Sequence, residues 1–176
     1  MLRFFKKKNT MALRPGRFED LPHISSWMTL GERKGHFLPA ADDEQRNAML
    51  EKAVTQEVVF VPRLNGAVHA GFLMDLQVLQ ISKSKLSAFV TMKTPEIPAT
   101  HPFYNCLEIY QFMVNPELQG RGIGGLLLDK ILGEYTEHSL FARCLPASQQ
   151  MIAMLKRRGF KPTRGQNDLV GLILER

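Results

Sequence analysis

The chain has 176 residues, 44% of them hydrophobic and 23% charged, and carries a formal charge of +6. That length suits one domain with a core of its own, and the composition excludes a disordered chain. No apolar run approaches the ~20 residues that span a bilayer, and the basic start "MLRFFKKKNT" is not followed by the apolar stretch of a secretory signal.

The excess charge sits at the beginning. Arg3, Lys6, Lys7, Lys8, Arg14 and Arg17 all precede the first acid, Glu19, and beyond them basic and acidic residues balance. Residues 1–10 therefore read as a basic extension ahead of a single domain, 11–176. An arm of this kind can touch nucleic acid or an anionic surface; the plainer reading, a solvated tail, is preferred. Residues 11–14 suit a first strand. Asp20-Leu21-Pro22 then opens a helix, with Asp20 as N-cap and Pro22 in the first turn, ending near Leu30 before Gly31. After the loop "GERKGHFLP" comes a second helix, whose residues 42–57 hold five acids (Asp42, Asp43, Glu44, Glu51, Glu57) against Arg46 and Lys52. Such an acidic helix steers a cationic partner or is simply a solvated face.

Leu64-Asn65-Gly66 marks a turn between two strands, since Asn-Gly favours a hairpin. A short strand over 86–92 leads into a long proline-containing loop, the kind that is often functional. "CLEIYQFMV" is a strand, residues 122–135 a helix, and "SLFARCL" a strand. "SQQMIAMLKRRG" is a helix with Ser148 as N-cap and Gly159 at its C-terminal end, and "FKPT" and "LVGLILE" are closing strands. The order predicts an α/β fold with a mixed, mostly antiparallel central sheet flanked by helices. Cys106 and Cys144, without CxxC or His spacing, read as reduced buried thiols of a cytoplasmic protein. The five histidines are scattered, so no metal site is expected.

Between "CLEIYQFMV" and its helix lies "NPELQGRGIGG". Glycine weakens a helix start unless the backbone there must be approached closely. A helix N-terminus offers unpaired N–H groups and a partial positive charge, which together hold phosphate. Gly120, Gly122 and Gly124 thus read as a phosphate cradle, with Arg121 adding a cation. Ile123 points inward, and Leu126, Leu127 and Leu128 supply the packed face. The plain alternative is a loop followed by close helix–strand packing. No Gly-Lys-Ser/Thr follows, so the stretch is not a nucleotide P-loop. No acid ends the next strand, which speaks against a dinucleotide site.

The pattern Gln119-x-x-Gly122-x-Gly124 after a strand, with "MALRPGRFEDLPHISSWM", "RLNGAVHAGFL" and "MLKRRGFKP" in matching order, resembles the GCN5-related N-acetyltransferase (GNAT) family. The resemblance implies a V-shaped splay between the fourth and fifth strands, "CLEIYQFMV" and "SLFARCL". It implies acetyl-CoA as cofactor, its pyrophosphate on the backbone of Gln119, Gly120, Arg121, Gly122, Ile123, Gly124 and Gly125. The pantetheine arm is expected along Phe112, Met113 and Val114 like an added strand, with Ser148 in contact or acting only as an N-cap.

It also implies transfer of an acetyl group to a primary amine, on a small molecule or a protein. Glu108 is then the candidate base, Tyr110 lies on the same face, and the Met113 or Val114 N–H is a candidate oxyanion donor. The family's usual tyrosine acid falls at Leu155, which cannot donate a proton. Tyr110, Tyr135, Tyr104 or water must then serve, or the domain binds acyl-CoA without catalysis. An RNA-associated acetyltransferase using the basic arm is a further alternative. Arg33, His36 and His101 lie in the expected acceptor loops, and the basic run "KRRGFKPTR" could meet the 3′-phosphate. Many relatives are dimers, so a homodimer is compatible.

Overall fold

The computed structural model describes residues 11–37, 42–56, 58–59, 72–81, 85–94, 106–163 and 168–176. The expected basic extension, the Asn65-Gly66 turn and the long loop with His101 and Tyr104 lie outside the described residues. Among the described residues, eight strands and four α-helices follow in chain order. They are β1 (Met11–Pro15), α1 (Leu21–Arg33), α2 (Asp43–Thr55), β2 (Val58–Val59), β3 (Phe72–Ile81) and β4 (Lys85–Lys93). Then come β5 (Leu107–Val114), α3 (Ile123–Glu134), β6 (Leu140–Cys144), α4 (Gln149–Lys156), β7 (Lys161–Thr163) and β8 (Val170–Leu174). The sheet runs β1-β3-β4-β5-β6-β8-β7, with the two-residue β2 beside β3. Every pairing is antiparallel except β5 with β6. Apart from β2, β5 and β6 are the fourth and fifth strands of the chain.

The sheet is buried on both faces because its strands alternate two apolar sets. One face carries Leu79, Ala88, Val90, Met92, Ile109, Ala142 and Leu172 against Ile123, Leu127, Leu128 and Ile131 of α3 and Ile152 and Leu155 of α4. The other carries Met74, Leu76, Val78, Phe89 and Met113 against Leu21, Ile24 and Met28 of α1 and Leu50 and Ala53 of α2. Positions 123, 127, 128 and 131 follow the helical repeat, so the packed side of α3 excludes Leu126, which is 41% exposed.

Two local expectations are corrected. α1 does not stop before Gly31 but runs to Arg33, and Gly31 is buried. A Cβ there would stand 2.5 Å from the Phe37 ring, so this glycine serves a close side-chain approach rather than a helix end. Asp20 does flank α1, but its carboxylate makes no cap bond to that helix. It turns back to accept from Arg14 Nη1 (2.8 Å) and Nη2 (2.9 Å) and from the Arg17 amide (2.8 Å).

That arrangement gives a pH prediction. Burial acts against the charged form of Asp20, but the hydrogen bonds from Arg14 and Arg17 and their charges outweigh it and hold the carboxyl below its usual value. A carboxyl depressed on folding contributes stability above its unfolded value, ~3.9, and that contribution is lost as pH falls through the lower folded value. Asp20→Asn is therefore expected to reduce stability at neutral pH and to flatten the acid limb of the stability–pH curve below about pH 4. Urea unfolding at a series of pH values reads both effects.

Among the described residues no helix is long and apolar enough to cross a membrane. Cys106 and Cys144 are free and buried, and burial pushes the Cys144 thiol up to about 11. A thiol protonated at neutral pH is a poor nucleophile, in keeping with a packing role.

Candidate active site

The site begins where two parallel strands part. β5 and β6 share only three paired positions, Leu107 with Leu140, Glu108 with Phe141 and Ile109 with Ala142. β5 continues five residues further, to Val114, beside β4 alone, while β6 stays paired to β8 through Cys144. An open V results, and residues 110–114 form one wall.

A bulge decides which backbone groups face the V. β4 pairs Thr91 with Gln111 and Met92 with Ile109, so Tyr110 is the extra residue in β5. The Leu107 amide donates toward β6, to Ser139 O at 2.9 Å, and the Asn115 amide donates toward β4, to Ser87 O at 2.9 Å. Strand residues alternate in the side to which they turn N–H and C=O. Counting inward from both ends, Leu107 and Ile109 face β6, whereas Phe112 and Val114 face the V and Met113 faces β4. The bulge thus shifts the alternation just where the partner strand departs. Of the two expected oxyanion donors, Val114 turns its amide to the V and Met113 turns it away.

The wall ends in the glycine turn. Asn115 fixes the turn by accepting from the Glu117 amide (3.0 Å) and donating to Leu86 O (3.4 Å). Gly120 and Gly122 both have φ +77°, and a Cβ on either would meet nothing within 4 Å. Gly122 is the residue before α3, and no side chain caps that helix. The first amides of α3 are therefore left to an external partner in an open approach. Gln119 and Arg121 are exposed beside them, and the Gln119 side chain donates from Nε2 to Val114 O at 3.3 Å.

The other two glycines do a different job. A Cβ on Gly124 would lie 3.4 Å from Val114 Cγ2 and 3.6 Å from Phe112 Cε1, so Gly124 brings α3 close to β5. Gly125 faces Arg158, whose Nη2 donates to Gly125 O (3.1 Å) and whose Nε pairs with Asp129 (2.6 Å). Gly124 and Gly125 thus fit the packing alternative, while Gly120 and Gly122 leave the approach to the helix start open. Arg158 of the basic run is committed to this helix–helix tie, while Lys156, Arg157 and Lys161 are exposed.

Ser148 precedes α4 but makes no cap bond, contrary to the N-cap expectation. Its hydroxyl instead lies 3.5 Å from His36 O, so the segment after α1 reaches the start of α4. A cavity of about 530 Å³ opens between α1 and the turn, lined by Trp27, Leu30, Arg33, Asn115 and Glu117 among others. Its size is that of a small-molecule site.

The candidate base has an unexpected setting. Glu108 is 3% exposed, and both of its carboxylate oxygens accept hydrogen bonds. Arg143 of β6 donates to it twice, Nε to Oε1 at 2.8 Å and Nη2 to Oε2 at 3.1 Å. Lys93 of β4 approaches Oε2 at 3.5 Å. Tyr110 does share this face, since the Lys93 ammonium also lies 4.2 Å from the centroid of its ring. Thr91 donates to Gln111 Oε1 at 3.0 Å on the same face.

Sequence reasoning missed Lys93, Arg143 and Gln111. For Lys93 and Arg143 the available signal was a charge in an otherwise apolar strand, because a buried charge requires a partner; Gln111 is neutral and carries no such signal.

Of the other tyrosines, Tyr135 follows the C-terminal end of α3, about 18 Å of helix from the cradle. It donates to Asp75 (3.0 Å), and burial and that carboxylate push its phenol well above its ordinary value. Tyr135 is thus remote from the site. Leu155 is fully buried in the core between sheet and α4. Among the described residues no cluster of three or more His, Cys, Asp and Glu side chains is placed to hold a metal.

Residues 78–160, which contain the bulged strand, the glycine turn and α4, match the model of the acetyltransferase (GNAT) family. That segment, residues 78–160, is thus the part of the chain that matches the GNAT family. Similar GNAT-fold structures include yncA of Salmonella typhimurium with its cofactor acetyl-CoA, at 16% identity and TM-score 0.62 over 94% of each chain. Aminoglycoside acetyltransferase AAC(6')-Ib in complex with coenzyme A shows 13% identity and TM-score 0.67 over 95% of each chain. Spermidine N-acetyltransferase of Vibrio cholerae, solved with CoA and spermine, shows 15% identity and TM-score 0.62, covering 93% of this chain and 92% of its own. No curated protein sequence matches the chain. At these identities the structural likeness establishes the GNAT fold, and the chemistry rests on the residues described above.

Proposed function

We propose that this protein is a GNAT-type acetyl-CoA-dependent N-acetyltransferase that acetylates a primary amine of a small molecule or of a protein or peptide. One observation carries the reading: the edge of β5 that β6 leaves uncovered runs from a bulge into an uncapped helix N-terminus with open glycines. An extended arm ending in phosphates fits that continuous surface, as an added strand on Phe112 and Val114 and as an anion on residues 119–125. Acetyl-CoA, when bound, supplies the activated acyl thioester. Similar proteins solved with acetyl-CoA or CoA support the same cofactor here.

The chain's own groups divide the remaining work. Leu155 cannot protonate a leaving thiolate, and Tyr135 is remote. Tyr110, in the bulge and 36% exposed, is the described tyrosine that can hold a proton at that place. A base role for Glu108 would require its carboxylate to give up Arg143 or Lys93, so we assign the amine proton to solvent. Tyr110→Phe is expected to lower kcat about 100-fold with acetyl-CoA affinity unchanged, the size of effect a general acid contributes; steady-state kinetics beside calorimetry reads both.

Isothermal titration with acetyl-CoA, followed by thiol release against polyamines, aminoglycosides and peptides, tests the reading. Binding with turnover on an amine supports it and gives the acceptor class. Binding without turnover on any amine replaces it with a non-catalytic acyl-CoA-binding module, the reading that Leu155 favours. Absence of binding removes it.

A further inference from the structure

We infer that Arg143 is a positioning residue and that Glu108, gripped by it, is the clamp that fixes the mouth of the V. The inference rests on the acyltransferase reading for its kinetic consequence, but not for its structural one. Three strands each contribute one charge to this cluster: Lys93 of β4, paired with Glu108 of β5, and Arg143 of β6, two residues beyond the partner of Glu108.

The register makes the arrangement specific. Pairing of β5 with β6 ends at Ile109 and Ala142, so Arg143 already stands in the splayed part of β6. Its guanidinium reaches back to Glu108, whose paired residue is Phe141, and makes two bonds of 2.8 and 3.1 Å. The tie thus crosses the apex of the V from the open side to the closed side. A fork-to-fork pair of this kind restrains orientation as well as distance. The Glu108 side chain is 4% exposed and that of Lys93 8%, against 31% for Arg143. Buried ion pairs are weak stabilisers against apolar substitutes, so geometry is the better account of this one.

The clamp also reaches the bulge. Lys93 contacts Glu108 on one side and the Tyr110 ring on the other. Through these contacts the splay angle, the bulge and the Tyr110 ring are set together. A free base needs an accessible oxygen, and here Arg143 donates to both oxygens.

The test compares Arg143→Ala, Arg143→Lys, Glu108→Gln and the Arg143→Ala/Glu108→Gln double variant, with thermal unfolding to confirm that each is folded. Hydrogen exchange is read first, without any cofactor. The clamp predicts faster exchange at the amides of residues 107–109 in Arg143→Ala and in Glu108→Gln, with α3 unchanged. Unaltered exchange in both folded variants would overturn it. In kinetics, each single change is expected to raise KM for acetyl-CoA and to lower kcat, together about 100-fold in kcat/KM, because small misplacements at a reacting centre have effects of that order. The double variant should be no worse than the poorer single one, and Arg143→Lys should recover part of the loss. A large fall in kcat for Glu108→Gln alone, with Arg143→Ala near wild type, would make Glu108 a base and end the proposal. If the wild-type protein binds no acetyl-CoA, the acyltransferase reading fails, and hydrogen exchange still decides the clamp.

Discussion

Gly122→Val is expected to weaken acetyl-CoA binding at least 100-fold in isothermal titration, about 2.7 kcal/mol, while leaving a folded protein. Two consequences of the substitution must be separated. Gly122 has φ +77°, and a left-handed conformation costs an L residue roughly 1–2 kcal/mol, more for a β-branched one. That strain lowers stability modestly. The added Cβ has no neighbour within 4 Å. The space it enters is the approach to the uncapped amides of α3, the space that a pyrophosphate requires.

Gly124→Ala is the informative comparison. Its methyl would make ordinary contacts with Val114, Phe112 and Met154 at 3.4–3.7 Å. It should perturb the packing of α3 on β5 more than it obstructs an anion, and so weaken binding far less than Gly122→Val. An unchanged dissociation constant for Gly122→Val would refute the cradle and the cofactor reading with it.

Arg46→Ala should give a large loss of stability, roughly 3 kcal/mol or more, since removing one partner of a buried pair strands the other. The Arg46 side chain is 4% exposed in α2. It donates to Glu32 of α1 twice, Nε to Oε1 at 3.1 Å and Nη2 to Oε2 at 2.6 Å, and also pairs with Asp43. Asp43 is well exposed and can be solvated, but the Glu32 side chain is only 12% exposed. The thermal midpoint should fall by about 10 °C at this chain length. Pairing Arg46→Met with Glu32→Gln removes both charges and should recover much of that loss. If Arg46→Ala leaves the midpoint unchanged, the pair is not what holds α1 to α2. The functional interest lies in α1, which lines the cavity beside the glycine turn with Trp27, Leu30 and Arg33. A loosened α1 should raise KM for the acceptor more than KM for acetyl-CoA.

Much of this molecule was legible in its sequence. The order of elements, the apolar repeat of α3, the glycine turn and the absence of a tyrosine at Leu155 all follow from residues within a few positions of one another. Helical period, turn chemistry and glycine tolerance are local, so a linear reading recovers them. It also recovered the two strands that part, because the family pattern carries them. Tertiary structure decided the rest. Whether a given glycine is a cradle or a packing contact depends on what stands opposite: open space at Gly120 and Gly122, Val114 and Phe112 at Gly124. The same holds for α1, which passes through Gly31 because Phe37 packs there. The side to which each β5 amide turns depends on a bulge at Tyr110, which exists only in register with β4. Above all, the setting of Glu108 depends on Lys93 and Arg143, which precede it by 15 residues and follow it by 35. A charge in an apolar strand announces that a partner is needed, but only the pairing of strands brings one within reach, because cross-strand neighbours are set by register and not by spacing along the chain.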